Sequence, residues 1–147
     1  MSRQTNSRGR SRTSRAADDE RVHVHARVRP LLEREKDAAA NASPVYQVVT
    51  NNTCNFMKNP GEVKALTFDT VFEETSSQSF VYDKVAKNII DGVLSGYNGT
   101  LFAYGQTGTG KTHTMMGADV HSEDRGIIPR SLDHIFQTVS ENSDKFT

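Results

Sequence analysis

The sequence contains no tryptophan and a single cysteine, Cys54. One thiol excludes an internal disulfide framework and fits a reducing compartment. No run approaches the roughly 18 consecutive apolar residues of a membrane span. The opening Met-Ser-Arg-Gln-Thr-Asn-Ser-Arg-Gly-Arg lacks the apolar core of a secretory signal. Apolar residues make up only 35% of the chain, low against the roughly 45–50% (glycine included) of typical domains. Part of the chain therefore lacks the means to pack. These absences read as a soluble intracellular protein, and 147 residues are one domain's worth of chain.

Net charge is missing as well, with eighteen Lys and Arg against eighteen Asp and Glu. The balance hides an asymmetry, because residues 1–17 hold five arginines (Arg3, Arg8, Arg10, Arg12 and Arg15) and no acid. The rest of the chain is correspondingly acidic. Residues 1–20 have no large apolar side chain after Met1, so they cannot bury enough surface to offset their ordering entropy. They read as a disordered basic tail. It serves either as a solubilising leader or as an electrostatic tether to acidic surfaces.

Order is expected from residue 21 onward. Val22 to Arg29 alternates apolar and polar residues, the period of a half-buried strand, and Pro30 ends it. Residues 31–44 read as a charged loop with a helical turn. Short strands are expected over 45–50, 53–58 and 63–68, with Phe68 and Phe72 as anchors. Between Ser76 and Ser95, Phe80, Val81, Val85, Ile89, Val93 and Leu94 recur at helical spacing; Ser76 or Ser77 caps the start and Gly96 stops the end. Thr100 to Tyr104 is an uncharged run between glycines, which predicts a strand buried on both faces. A helix is expected from about Gly110 to Gly117, then an exposed loop over Ala118–Arg125. Pro129 opens a last helix with Leu132, Ile135, Phe136 and Val139 on one face. Lys145-Phe146-Thr147 reads as the entry to a further strand.

The chemistry lies in Gly105-Gln106-Thr107-Gly108-Thr109-Gly110-Lys111-Thr112, which fits G-x-x-x-x-G-K-[ST]. Glycines at 105, 108 and 110 permit backbone conformations that turn successive amides toward phosphate oxygens. The following helix adds the positive end of its dipole. Lys111 places an ammonium at the β- and γ-phosphates, and the Thr112 hydroxyl ligates the magnesium ion that bridges them. Other candidates are weaker. His23 and His25 read as solvent-facing strand residues rather than metal ligands, and Cys54 as structural. Asp69 precedes the phosphate loop, whereas a magnesium-binding acid follows it, so Asp69 reads as structural. His113, directly after the loop, either stacks on the nucleotide base or is simply exposed.

The run Tyr97 to Met115 resembles the phosphate-loop signature of kinesin motor domains. Three further stretches agree in order and spacing: Arg27-Val28-Arg29-Pro30 with the family's R-x-R-P, Phe68-Asp69-Thr70-Val71-Phe72 with F-D-x-V-F, and Gly126-Ile127-Ile128-Pro129-Arg130 with G-I-I-P-R. The resemblance covers residues 21–147. It implies an α/β fold of the P-loop NTPase class, of kinesin motor type and cut after the phosphate-loop helix. It also implies ATP and Mg2+ as ligands, microtubules as partner, and a cytoplasmic, cytoskeletal location, with no specific nucleic acid. Arg27 and Pro30 on one side and His113 on the other would form the adenine pocket. Ala118–Arg125 becomes the surface loop interrupting the phosphate-loop helix.

The family's N-x-x-S-S-R and D-L-A-G-S-E elements do not occur here. The resemblance thus implies the N-terminal portion of a motor domain, without the catalytic switch residues and the basic filament-binding elements. In the family, the strand before the loop is paired by strands from the later portion. The isolated chain is accordingly expected to fold poorly, to bind nucleotide weakly and to sustain no ATP turnover. The alternative is a non-motor, nucleotide-binding remnant or isoform.

Overall fold

The computed structural model describes residues 22–39, 46–59 and 61–142. The basic tail and the expected strand entry at 145–147 lie outside the described residues. In chain order the elements are β1 (His25–Arg27), α1 (Glu33–Ala39), β2 (Tyr46–Val48), β3 (Thr53–Asn59), β4 (Glu62–Thr67), β5 (Thr70–Phe72), α2 (Gln78–Val85), α3 (Lys87–Leu94), α4 (Lys111–Met115) and α5 (Ile127–Glu141).

Two small sheets result. β1 pairs with β5 in parallel, His25 opposite Thr70 and Arg27 opposite Phe72. Hydrogen bonds from Asp69 N to Val24 O (2.9 Å) and from Val28 N to Phe72 O (2.9 Å) continue the ladder by one step at each end. The eight-residue alternation therefore yields a strand of three residues, because β5 offers only three partners. The second sheet is an antiparallel meander, β2-β3-β4, with Cys54 opposite Val48 and Leu66. Val71 N donates to Asn51 O (2.7 Å) and Phe68 N to Asn52 O (2.8 Å), which ties the β2–β3 turn to the start of β5. Cys54 is buried there, and burial pushes its thiol up from the ordinary value, as a structural cysteine requires. Asp69 accepts from Val24 N at 2.8 Å through Oδ2, which bears out its structural reading.

His25 is not solvent-facing. Its ring lies 6.1 Å from that of Phe72, its Nδ1 is buried without a hydrogen-bond partner, and desolvation lowers its pKa. The alternation marks it as polar. Its side of β1 nevertheless faces the core, because Phe72 on β5 reaches across.

Helical spacing over 76–95 produces α2 and α3, separated only by Ala86. Ser77 Oγ accepts from Phe80 N at 3.2 Å as the N-cap, and i→i−4 bonds run on both sides of Ala86. Gly96 follows with φ of 92°. The core consists of Phe72, Val81, Tyr82, Ala86 and Ile127, with Val85, Leu101 and Met115 packed against it. It thus joins β5, the first half of the long helical stretch and the start of α5. A polar chain reinforces that joint: Tyr82 Oη and His134 Nδ1 lie 2.8 Å apart, and His134 Nε2 meets Asp91 Oδ1 at 3.2 Å.

The strand expected at Thr100–Tyr104 does not form. Leu101 reaches the core, but Phe102 and Tyr104 are 76% and 95% exposed. No strand among the described residues pairs with this run, and a strand exists only by its hydrogen-bonded neighbours. On α5, Ile135 and Val139 are half-buried while Leu132 and Phe136 are exposed. The apolar face of that helix is thus covered on one side only. Replacing Leu132 or Phe136 by glutamine is expected to move stability by about 0.5 kcal/mol or less. Ile127→Ala, in the core, is expected to cost about 2–4 kcal/mol. Urea denaturation of the three variants checks the ranking. Among the described residues no helix is long and apolar enough to cross a membrane.

Candidate functional site

The chain leaves the core at Leu101 and enters the loop 105–112. Gly105, Gly108 and Gly110 have φ of 150°, 85° and 95°. These conformations are open to glycine and costly for other residues. Thr109 closes a turn inside the loop, its Oγ1 donating to Gln106 O at 2.8 Å. Gly110 is the N-cap of α4 in the left-handed region, so Lys111, Thr112 and His113 occupy the first turn of that helix. Lys111 Nζ donates to Gly105 O and Gln106 O, both at 2.7 Å, which carries its ammonium back across the loop. Thr112, on the next step, is exposed. All eight predicted loop residues are therefore adjacent in space as well as in sequence.

β1 supplies the second component. Arg27 ends β1 and Arg29 lies two residues beyond it, and the two guanidinium groups serve different contacts. Arg29 Nε donates to Gly108 O at 2.9 Å, and its two terminal nitrogens hold both carboxylate oxygens of Glu35 at 2.7 Å. Glu35 also accepts from Leu32 N at 2.9 Å. The bidentate fork thus links α1 to the phosphate loop, a geometry that only arginine provides. Its hydrogen bonds to Arg29 and Leu32 N hold the Glu35 carboxyl down to about 2. The folded-state pKa is depressed, so this pairing contributes fully above the ordinary carboxylate range and is lost as pH falls toward 2. We expect the Glu35 side-chain 13C shift to titrate near pH 2 in the folded chain. Arg29→Gln should return the midpoint to the usual carboxylate range. A midpoint near 4.5 in the unaltered chain would show that the fork does not persist in solution.

Arg27 reaches the other way, into the packing between α2 and α4. Its Nη1 donates to Gln78 Oε1 (2.9 Å) and Thr114 Oγ1 (3.1 Å), and its Nη2 to Ser76 O (3.4 Å). Burial lowers the Arg27 pKa from its ordinary value, and the three acceptors compensate the desolvated charge. Gln78 is buried, and its Nε2 donates to His113 O (2.7 Å) and approaches His113 Nε2 at 3.2 Å. Arg27 and His113, predicted together, are therefore connected, and Gln78 is the connection. Pro30 lies three residues past the end of β1, its carbonyl accepting from Arg29 Nη1 at 2.8 Å.

Three of these groups, Arg29, Glu35 and Gln78, are absent from the sequence-derived site. Gln78 had a signal: it precedes Val81 and Tyr82 at i+3 and i+4, the buried stripe of α2. A polar residue at a core position implies a buried partner.

After the loop, α4 ends at a crossing with the following segment. Gly117 bridges to Arg125, and Gly126 N donates to Met116 O at 2.9 Å. Residues 118–124 therefore form a closed excursion at the surface, as expected. Arg130 holds it from α5, donating through Nε to Arg125 O (3.0 Å) and through Nη2 to Glu123 O (2.5 Å).

Known proteins are similar to this chain in sequence and in fold. A family profile described as "Kinesin motor domain" matches residues 27–147. Kinesin-like protein KIF3C of Bos taurus is 40% identical over 137 residues, covering 90% of this chain and 17% of the relative. Kinesin-like protein KIF15 of Homo sapiens is 41% identical over 128 residues, 84% of this chain and 9% of the relative. A solved structure titled "Structure of a fast kinesin: Implications for ATPase mechanism and interactions with microtubules" superimposes with a TM-score of 0.74 at 38% identity, covering 82% of this chain and 34% of that one. The chain spans less than a fifth of the length of either curated relative. With the family profile taking in the R-x-R-P strand end, the phosphate loop and α5 alike, the chain belongs to the kinesin motor-domain family.

Proposed function

We propose that residues 105–112 bind the phosphates of ATP, and that this chain is the ATP-binding portion of a microtubule-dependent motor. Lys111 contacts the β- and γ-phosphates and Thr112 supplies the hydroxyl ligand for Mg2+. Arg27, Pro30 and His113 receive the adenine. The observation that carries the reading is the pose of Lys111, an ammonium held across three left-handed glycines by two backbone carbonyls. That pose suits an anion, because phosphate oxygens would compete with the carbonyls for the same N–H donors. The competition also makes binding by this chain weak. Hydrolysis coupled to movement along microtubules, in the cytoplasm and on the cytoskeleton, is proposed for the protein at the length of its relatives.

Displacement of a fluorescent ATP analogue from the chain, with folding followed by circular dichroism, tests the binding. Saturable, Mg2+-dependent binding that ADP competes for is expected. Absence of saturable binding by folded chain would overturn the reading.

A further inference from the structure

The network around Gln78 fixes more than a packing contact. Arg27 has donors and no acceptor, so the Gln78 atom facing it is the amide oxygen. A backbone carbonyl has no donor, so the Gln78 atom facing His113 O is the amide nitrogen. Two independent partners thus set one amide orientation. The same NH2 group lies 3.2 Å from His113 Nε2. A donor there requires an acceptor on the ring. In the neutral imidazole the hydrogen must then sit on Nδ1, the reverse of the form free histidine favours in water.

From this we infer that Gln78 is a positioning residue for the nucleotide base: it imposes the Nδ1–H tautomer on His113 and fixes the plane of its ring, with Arg27 as the obligate donor that orients the amide. The inference rests on the proposed role of His113 in the base pocket and deepens it. Gln78 is buried and its amide nitrogen is engaged with His113, so it acts through His113. A stacked ring gains from being held in one plane, since the ordering entropy is then spent in folding rather than in binding. The direction of the network begins at Arg27, which also gives the first arginine of R-x-R-P a task inside the protein.

The test uses the full chain without nucleotide and needs no variant for its first part. Side-chain 1H–15N correlation spectra, with the His113 signals assigned by their loss in His113→Phe, report which ring nitrogen carries the hydrogen. Nδ1–H is expected. Nε2–H would overturn the inference whatever the chain binds. Gln78→Met keeps the volume and removes the amide, and should return His113 to the Nε2–H form. A His113 that stays Nδ1–H in folded Gln78→Met would also overturn it.

The second part compares Mg·ATP with inorganic tripolyphosphate. Gln78→Met should weaken ATP about tenfold, the net worth of one well-placed hydrogen bond, and leave tripolyphosphate within about twofold. In a His113→Phe background, Gln78→Met should leave both ligands within about twofold, because the ring no longer has a tautomer to set. Equal losses for ATP and tripolyphosphate would overturn the positioning role, since they mean general loosening. If unaltered chain shows the Nδ1–H ring yet binds ATP no better than tripolyphosphate, the base-pocket reading fails, and the functional half of the inference fails with it.

Discussion

Lys111→Ala is expected to lower the affinity of the chain for Mg·ATP by about 100-fold or more. Two hydrogen bonds from a charged donor to phosphate oxygens contribute about 1.5–3 kcal/mol each, and about 1.4 kcal/mol corresponds to a factor of ten. In the folded chain the same two hydrogens are already used, on Gly105 O and Gln106 O. Alanine therefore removes a brace of the loop as well as a phosphate ligand. The two effects separate by experiment. Loss of the brace alone reduces the protection of loop amides against hydrogen exchange. Loss of the phosphate contact reduces affinity for ATP and tripolyphosphate in equal proportion, because the base does not touch Lys111. Lys111→Arg keeps the charge but not the compact ammonium, and should recover only part of the affinity. If Lys111→Ala bound Mg·ATP within about threefold of the unaltered chain, the phosphate-loop reading could not stand.

The loop was legible because its information is local. Glycines at 105, 108 and 110 are needed where the backbone turns left-handed, and Lys111 and Thr112 follow at fixed distance whatever surrounds them. The helix at 76–95, its serine cap and its glycine stop were legible for the same reason. Thr100–Tyr104 was not, although its composition is that of a buried strand. Composition records what a segment is suited to, while the ladder depends on what lies beside it, and here Phe102 and Tyr104 face solvent. Val22–Arg29 gives a milder version: its alternation is real, but β5 limits the pairing to three residues. The supports of the site lay furthest from view. Arg29 and Gly108 are 79 positions apart, Gln78 and His113 35 positions apart. Neither pair has a spacing rule, and only the tertiary fold brings them together. The resemblance named Arg27 and His113 together as sides of one pocket, and could not show that a buried amide stands between them.

The Gly117→Ala substitution is expected to destabilise the chain by about 3 kcal/mol or more. Gly117 has φ of 88°, where an L side chain is already strained. A methyl group there would also overlap Asp124 O, and would lie 2.6 Å from Gly126 N and 2.7 Å from Arg125 Cα. All three are backbone atoms of the segment that bridges to Gly117, so no rotamer change relieves them. Relief requires opening the Gly117–Arg125 bridge, and with it the bond from Gly126 N to Met116 O. Gly126 faces the same crossing from the other side, its own added methyl falling 2.6 Å from Met115 C. The crossing joins α4, which carries Lys111 and His113, to Ile127 in the core. Gly117→Ala should therefore lower both the urea midpoint and the affinity for Mg·ATP. Gly92→Ala provides the opposite control. It lies within α3 with nothing inside 4 Å of an added methyl, and should raise stability by about 0.4–1 kcal/mol. Should Gly117→Ala unfold at the same urea concentration as the unaltered chain, α4 and α5 are not held by this crossing, and the nucleotide loop takes its support from Arg29 and from the Arg27–Gln78 network.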